Sequence, residues 1–231
     1  MVNFWQKLAQ KNKPFLALAP LDGVTDYVFR EIIALSAAPD VFFTEFKNTH
    51  ALLSKGYEKT VPRLKFSENQ RHIVAQIWGT EPSHFYKVAG MVKEVGFDGV
   101  DINMGCPVHD VMKLGSGSSL IKNPNLAAEM IAAAKEGAKS MPVSVKTRIG
   151  LNSIVTETWI AWLLKQKPAA LTVHGRTAKE LSKVPVHWDE IGKSVKLRDD
   201  IAPETIIIGN GDITSREQAL QVHNTYHVDG V

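Results

Sequence analysis

Apolar residues along the chain come in short unbroken runs, separated by stretches in which they recur every third or fourth position. Phe15-Leu16-Ala17-Leu18-Ala19 is such a run, stopped by Pro20, and predicts a fully buried strand. Asp22, Gly23, Thr25 and Asp26 supply turn and N-cap chemistry, after which Val28, Phe29, Ile32 and Ile33 recur at helical spacing. The cycle then repeats. Val41 to Thr44 predicts a second strand leading into a helix over Glu45 to Lys55, and Ile73 to Ile77 predicts a third strand ending at Gly79. Pro82 opens a helix with Phe85, Val88, Ala89 and Val92 on one face. Gly99 to Asn103 predicts the fourth strand, with a helix from Pro124 to Ala138 after it. Pro142 to Thr147 is the fifth strand, Thr156 to Lys165 a helix, and Ala170 to His174 the sixth strand. Thr205 to Gly209 makes a seventh, and Thr214 with Glu217 reads as a capping box on the helix that follows. Asp229-Gly230-Val231 begins an eighth.

Strands alternating with helices in this number predict an α/β fold, a TIM (β/α)₈ barrel in which the eighth strand is incomplete at the C-terminus. No linker or low-complexity stretch divides residues 1–231, so they are read as one domain. With strand eight unfinished, the seam between the seventh and first strands is expected to stay open, with ladder groups unpaired.

Composition narrows the picture only slightly. The 27 Lys and Arg against 24 Asp and Glu give a net charge of +3, which permits a polyanionic partner without demanding one. A single cysteine rules out an internal disulfide framework, and no window reaches the apolar length of a membrane span. A cytoplasmic monomer without a metal site is expected.

On a barrel of this kind, polar residues at the carboxyl ends of strands face the active site. They include Pro20, Leu21 and Asp22; Thr44 and Glu45; Gln76; Asn103 and Cys106; Lys146 and Arg148; His174 and Arg176; and Asn210, Gly211 and Asp212. Gln76 brings a donor and an acceptor, Lys146 a positive charge, and His174 a tunable donor, a set suited to a planar ring that becomes anionic on reduction. The Gly209-Asn210-Gly211-Asp212 turn offers backbone N–H groups near a helix start, a favourable place for phosphate. Together they suggest flavin mononucleotide (FMN). Cys106 stands where a strand runs out into a turn, with Gly105 free to take a positive φ and Pro107 forcing an extended residue before it.

Six short motifs, in order, resemble those of the tRNA-dihydrouridine synthases. They are Ala19-Pro20-Leu21-Asp22-Gly23-Val24-Thr25-Asp26, Gln76-Ile77-Trp78-Gly79, Asn103-Met104-Gly105-Cys106-Pro107, Lys146-Thr147-Arg148, His174-Gly175-Arg176-Thr177 and Gly209-Asn210-Gly211-Asp212. The resemblance implies reduction of a uridine C5–C6 double bond in tRNA, with FMN reloaded by NADPH or NADH. It implies that Pro20, Leu21 and Asp22 lie against the flavin and that Gln76, Lys146 and His174 bond it. Asn210, Gly211 and Asp212 would line its ribityl-phosphate side. Cys106 would be the proton donor, and Asn103 and Arg176 would hold the uracil edge or its phosphate. Two departures stand out. Val108-His109-Asp110 follows the cysteine where the family carries basic residues, and neither the family's phosphate loop nor its helical RNA-binding domain follows Val231. A truncated catalytic domain with weakened flavin and tRNA binding is therefore expected. Lys47, Lys55, Lys59, Arg63, Lys65, Lys179 and Lys183 are candidates for a phosphate-contacting rim. Two alternatives remain open: an FMN barrel acting on a free pyrimidine, of the dihydroorotate dehydrogenase kind, and an inactive fragment.

Overall fold

A computed structural model describes residues 2–10, 13–55 and 57–231; the side chain of Lys59 also lies outside the described set. In chain order the elements are α1 (Phe4–Ala9), β1 (Ala17–Leu18), α2 (Tyr27–Ala37), β2 (Val41–Phe43), β3 (Lys47–Asn48), α3 (Thr49–Leu52), α4 (Tyr57–Thr60), β4 (Ile73–Trp78), α5 (Pro82–Val95), β5 (Gly99–Met104), α6 (His109–Lys113), α7 (Pro124–Ala138), β6 (Val143–Arg148), α8 (Thr156–Lys165), β7 (Ala170–His174), α9 (Trp188–Ile201), β8 (Ile206–Asn210) and α10 (Arg216–Tyr226). The seven expected strands are all present, and the intervening α/β rhythm is as read from the pattern. Two compact units divide the chain: an amino-side unit of residues 16–102 and 129–143, and a carboxy-side unit of residues 1–15, 103–128 and 144–231.

In the amino-side unit β1, β2, β4 and β5 pair in that order, all parallel. The strands β2 and β4 are mostly apolar and buried, and Phe85, Val88, Ala89 and Val92 of α5 are buried as well, on the face that its spacing predicted. Burying each such side chain is worth about 1.5–3 kcal/mol for the larger ones. Pro82 opens α5 and Gly96 closes it at φ 95°.

Three expectations fail in this unit. The helix read over Glu45 to Lys55 is instead a two-residue strand, β3, paired with β4 at Lys47↔Ile77, followed by the short α3. Asn48 delays that helix, since its side chain caps α3 by accepting from Ala51 N at 3.1 Å. The strand read over Phe15 to Ala19 is only half-buried at Ala17 and Leu18. In α2 the apolar residues point the wrong way: Val28 and Ile32 are 60% and 58% exposed, while Arg30 is fully buried. Its guanidinium donates to Thr25 O at 2.6 Å, Lys65 O at 2.6 Å and Gln70 Oε1 at 3.0 Å, and that polar anchor sets the helix face.

In the carboxy-side unit β6, β7 and β8 are paired and parallel. The register Lys146↔Thr172↔Ile208 and Arg148↔His174↔Asn210 places these six residues on one face. The other face, with Val145, Leu171, Val173 and Ile207, is buried, as are Trp159, Ile160 and Leu163 of α8 and Ile191 and Val195 of α9. The N-cap of α10 lies one residue later than the Thr214–Glu217 capping box predicted: Ser215 accepts from Gln218 N at 3.1 Å, and Gln218 Oε1 accepts from Thr214, the residue before the cap.

The expectation of unpaired ladder groups beside the eighth strand is corrected. Asp229–Val231 are paired on both sides. Gly209 N donates to Gly230 O and Asp229 N to Ile207 O, both at 2.9 Å, while Val231 N donates to Phe15 O at 3.0 Å. Asp229 holds this segment through its carboxylate, which accepts from Ile207 N and Arg198 Nη1, each at 2.7 Å. Among the described residues, no helix is long and apolar enough to cross a membrane.

Candidate functional site

The shared face of β6, β7 and β8 ends in a cluster of basic and polar side chains. Lys146 Nζ donates to Asn210 Oδ1 at 2.8 Å. Arg176, two residues past β7, is buried and forms a two-pronged ion pair with Asp212, its Nη1 at 3.0 Å from Oδ1 and its Nη2 on Oδ2. That contact holds the Asp212 carboxyl below the usual carboxylate range. Arg176 Nε donates to Val184 O at 2.7 Å.

His174 lies among these cations and is neutral. Burial first, then Lys146, Arg148 and Arg176, push its pKa down to about 2. Its Nε2 is 3.5 Å from Arg176 Nη1, and a guanidinium only donates, so this contact puts the imidazole proton on Nδ1. Gly211, at φ 130°, passes close by: a Cβ there would stand 2.7 Å from Val186 and 3.2 Å from the His174 ring.

The turn after β5 carries Cys106 and is tied to the same cluster. Asn103 Oδ1 accepts from Gly105 N at 3.1 Å and Cys106 N at 2.9 Å, an Asx turn that shapes the loop. Cys106 O accepts from both N and Oγ of Ser118, each at 3.0 Å. The positive φ expected at Gly105 belongs instead to Gly117, at 60°, where a Cβ would press to 2.6 Å from Cys106 O. At Gly105 the need is space, since a Cβ would meet the Thr147 backbone at 3.3 Å.

Arg148 joins the turn to the cluster. Its Nε donates to Gly105 O at 2.9 Å, and its Nη1 to Thr177 O at 3.1 Å and Leu181 O at 3.2 Å. Burial lowers its pKa to about 10, so it keeps its charge at neutral pH. The period-two spacing of Lys146 and Arg148 put both on this face, but nothing in the sequence showed Arg148 clamping the cysteine turn.

Pro20, Leu21, Asp22 and Gln76 fall in the amino-side unit. Pro20 is buried and Leu21 is 53% exposed, its N–H given to Thr25 Oγ1 at 2.9 Å. Asp22 is 3.3 Å from Lys47 Nζ, which also lies 3.5 Å from Glu45 Oε1. Lys47 is thus buried in ion pairs and is no part of an exposed rim, whereas Lys55, Arg63, Lys65, Lys179 and Lys183 are exposed. Gln76 Nε2 donates to Asp101 Oδ2 at 2.7 Å, and both side chains are fully buried.

The carboxy-side cluster fits an anionic, polar cofactor. It gathers three cations, Arg176 among them paired with Asp212, with a neutral imidazole between. Thr172, on the same face as Lys146 and His174, is 5% exposed, and its Oγ1 has no hydrogen-bond partner. A buried hydroxyl left so costs about 1–3 kcal/mol, which a polar ligand on this face would relieve. Among the described residues, no group of three or more His, Cys, Asp or Glu is gathered for a metal ion.

Parallel strands with a polar cluster at their carboxyl ends define an enzyme of the α/β barrel class. Morphinone reductase has the same fold at a TM-score of 0.63 and 12% identity, covering 97% of this chain and 83% of that one. The sequence comparisons are more specific. A model of the dihydrouridine synthase (Dus) family matches residues 17–231. The "Probable tRNA-dihydrouridine synthase 2" of Bacillus subtilis (strain 168) is 46% identical over 99% of this chain and 70% of its own length. The "Probable tRNA-dihydrouridine synthase" of Staphylococcus aureus (strain COL) is 46% identical over 99% of this chain and 69% of its own. The chain belongs to the dihydrouridine synthase family.

Proposed function

We propose that this protein is a tRNA-dihydrouridine synthase that reduces the C5–C6 double bond of a uridine in tRNA, with FMN as cofactor and NADPH or NADH as reductant. Residues 1–231 are taken as its catalytic domain, acting as a monomer in the cytoplasm. The observation that carries the reading is Cys106, a buried thiol on a turn that Arg148 fastens to a cationic strand-end cluster.

Lys146, His174, Asn210, Gly211 and Asp212 would hold the cofactor: the ammonium balances its negative charge, and the close-packed glycine turn leaves room for its phosphate side. Pro20, Leu21, Asp22 and Gln76 share the cofactor assignment on the family resemblance. Bound FMN supplies the hydride that adds to C6. Cys106 holds the proton for C5, and a thiol of reference pKa about 8.5 is largely protonated at neutral pH while still acidic enough to give that proton up. Asn103 fixes the turn and, with Arg176, stands on the substrate side. A uridine reaching this turn must leave its stack, at a cost of a few kcal/mol.

The test is Cys106→Ala. It is expected to keep FMN while losing about 10²- to 10⁴-fold in dihydrouridine formation on unmodified tRNA. Full turnover by the variant would remove Cys106 as the acid.

A further inference from the structure

Outside that cluster, the carboxy-side unit holds a concavity of about 420 Å³. Its walls include Leu151, Val155, Trp159 and Trp162, and Lys122 and Asn152 stand at its edge. It sits on the loop that directly follows Lys146-Thr147-Arg148, at the carboxyl end of β6.

Both indoles are fixed. Trp162 Nε1 donates to Pro124 O at 3.0 Å, which holds the ring edge and leaves the half-buried ring to line the pocket. Trp159 Nε1 donates to Thr147 Oγ1 at 2.9 Å, and that hydroxyl donates to Met104 O at 3.1 Å, two residues before Cys106. The back wall of the pocket is therefore bonded to the strand end that leads into the cysteine turn.

We infer that this pocket receives a second base of the RNA whose uridine is reduced, stacked on Trp162 with a phosphate near Lys122. The inference rests on the RNA reading given above and adds a second point of attachment to it. A planar aromatic wall, a mostly apolar lining, one cation and an amide at the rim match a nucleotide's base, its phosphate and its polar edge. Exposed Lys122 suits the phosphate, and Asn152 can both donate to and accept from a base edge. A polynucleotide with one uridine near Cys106 must lay other nucleotides along the same strand-end rim, and this is an aromatic pocket on that rim.

The test is fluorescence anisotropy of a fluorescein-labelled, uridine-rich single-stranded RNA titrated with the full chain at fixed salt. Trp162→Ala is expected to weaken binding by about five- to a hundredfold, the usual loss for one stacked base. Trp162→Phe gives up the bond to Pro124 but keeps a stacking face, and is expected to stay within about threefold of the parent, which separates stacking from damage to the fold. Lys122→Ala is expected to reduce the dependence of log affinity on log salt by about one contact. If Trp162→Ala binds as the parent does while Cys106-dependent reduction of tRNA proceeds, the pocket assignment falls and the activity stands, leaving the concavity to a protein segment. If the parent binds no RNA and forms no dihydrouridine, both fall together.

Discussion

The two strand-end clusters arise from the same rhythm of strand, turn and helix, yet their charged groups are finished differently. On the amino side Asp22 and Glu45 face Lys47, with Arg63 at 3.9 Å from Glu45, and Gln76 gives its amide to Asp101. There the polar groups hold one another and the backbone: Glu45 Oε1 accepts from Gly23 N at 2.8 Å, shaping the turn after Pro20. On the carboxy side Arg176 is paired with Asp212, while Lys146 donates to the Asn210 amide and Arg148 to backbone carbonyls, and the Thr172 hydroxyl is left without a partner. Polar residues at strand ends thus serve two ends, and what they bond to separates them. The set whose ion pairs and backbone bonds close on one another builds the loop; the set that gathers three cations at one strand-end face is ready for an anion.

A paired substitution tests that division and has the largest expected effect. Lys47→Ala strips the buried Glu45 carboxylate of its nearest cation and should cost on the order of 3 kcal/mol of stability. Lys146→Ala, on the partly exposed side of its cluster, should leave the unfolding midpoint nearly unchanged and instead weaken FMN by roughly 10- to 100-fold, the worth of a hydrogen bond to a charged group. Urea unfolding and flavin fluorescence quenching read the two effects separately. Equal losses of stability in both variants would erase the distinction.

How much of this was legible depends on how local the signal is. The helices over Pro124–Ala138 and Thr156–Lys165 and the strand over Ala170–His174 lie where the pattern put them, because long periodic stretches report the face they bury. The strand-end candidates were legible for a related reason: period two fixes which residues share a face. What failed was set at a distance. Two-residue β3 has no period to read, and α2 turns on Arg30, whose carbonyl and amide partners come from three separate stretches of the chain. Likewise Asp229–Val231 look like loose ends until Phe15, Ile207 and Gly209 are seen on either side of them.

His174 sharpens the comparison through pH. In the folded protein its pKa is about 2, while an unfolded histidine titrates near 6.5. The neutral ring's contribution is therefore fully present above about pH 6.5 and declines as pH falls, because only the unfolded chain takes up the proton. His174→Asn should flatten the fall in stability between about pH 6.5 and 4 by up to one proton, as read from urea midpoints across that range. Parallel pH profiles for parent and variant would show that the imidazole is not held neutral by its cations.

The smallest effect belongs to Asp212. Its carboxyl is held below its usual range by Arg176, so the stabilisation is present above the unfolded carboxylate value and is lost as pH falls through the lower folded one. The pair is lopsided: Asp212 is 55% exposed and Arg176 only 4%. Solvent screens the exposed side, and in Asp212→Asn an amide oxygen still accepts from the guanidinium. The expected cost at neutral pH is therefore under about 1 kcal/mol, vanishing in strong acid. The same change removes the carboxylate that offsets Arg176, leaving the cluster with three cations. The amide oxygen of Asn keeps an acceptor on the cofactor's ribityl-phosphate side, so FMN affinity should change by no more than a few-fold at neutral pH, the lost carboxylate contact and the gained positive charge offsetting one another. A loss of FMN beyond about tenfold on Asp212→Asn would mean that the carboxylate charge itself is needed to hold the cofactor, and that excess positive charge is not what sets the carboxy-side cluster apart.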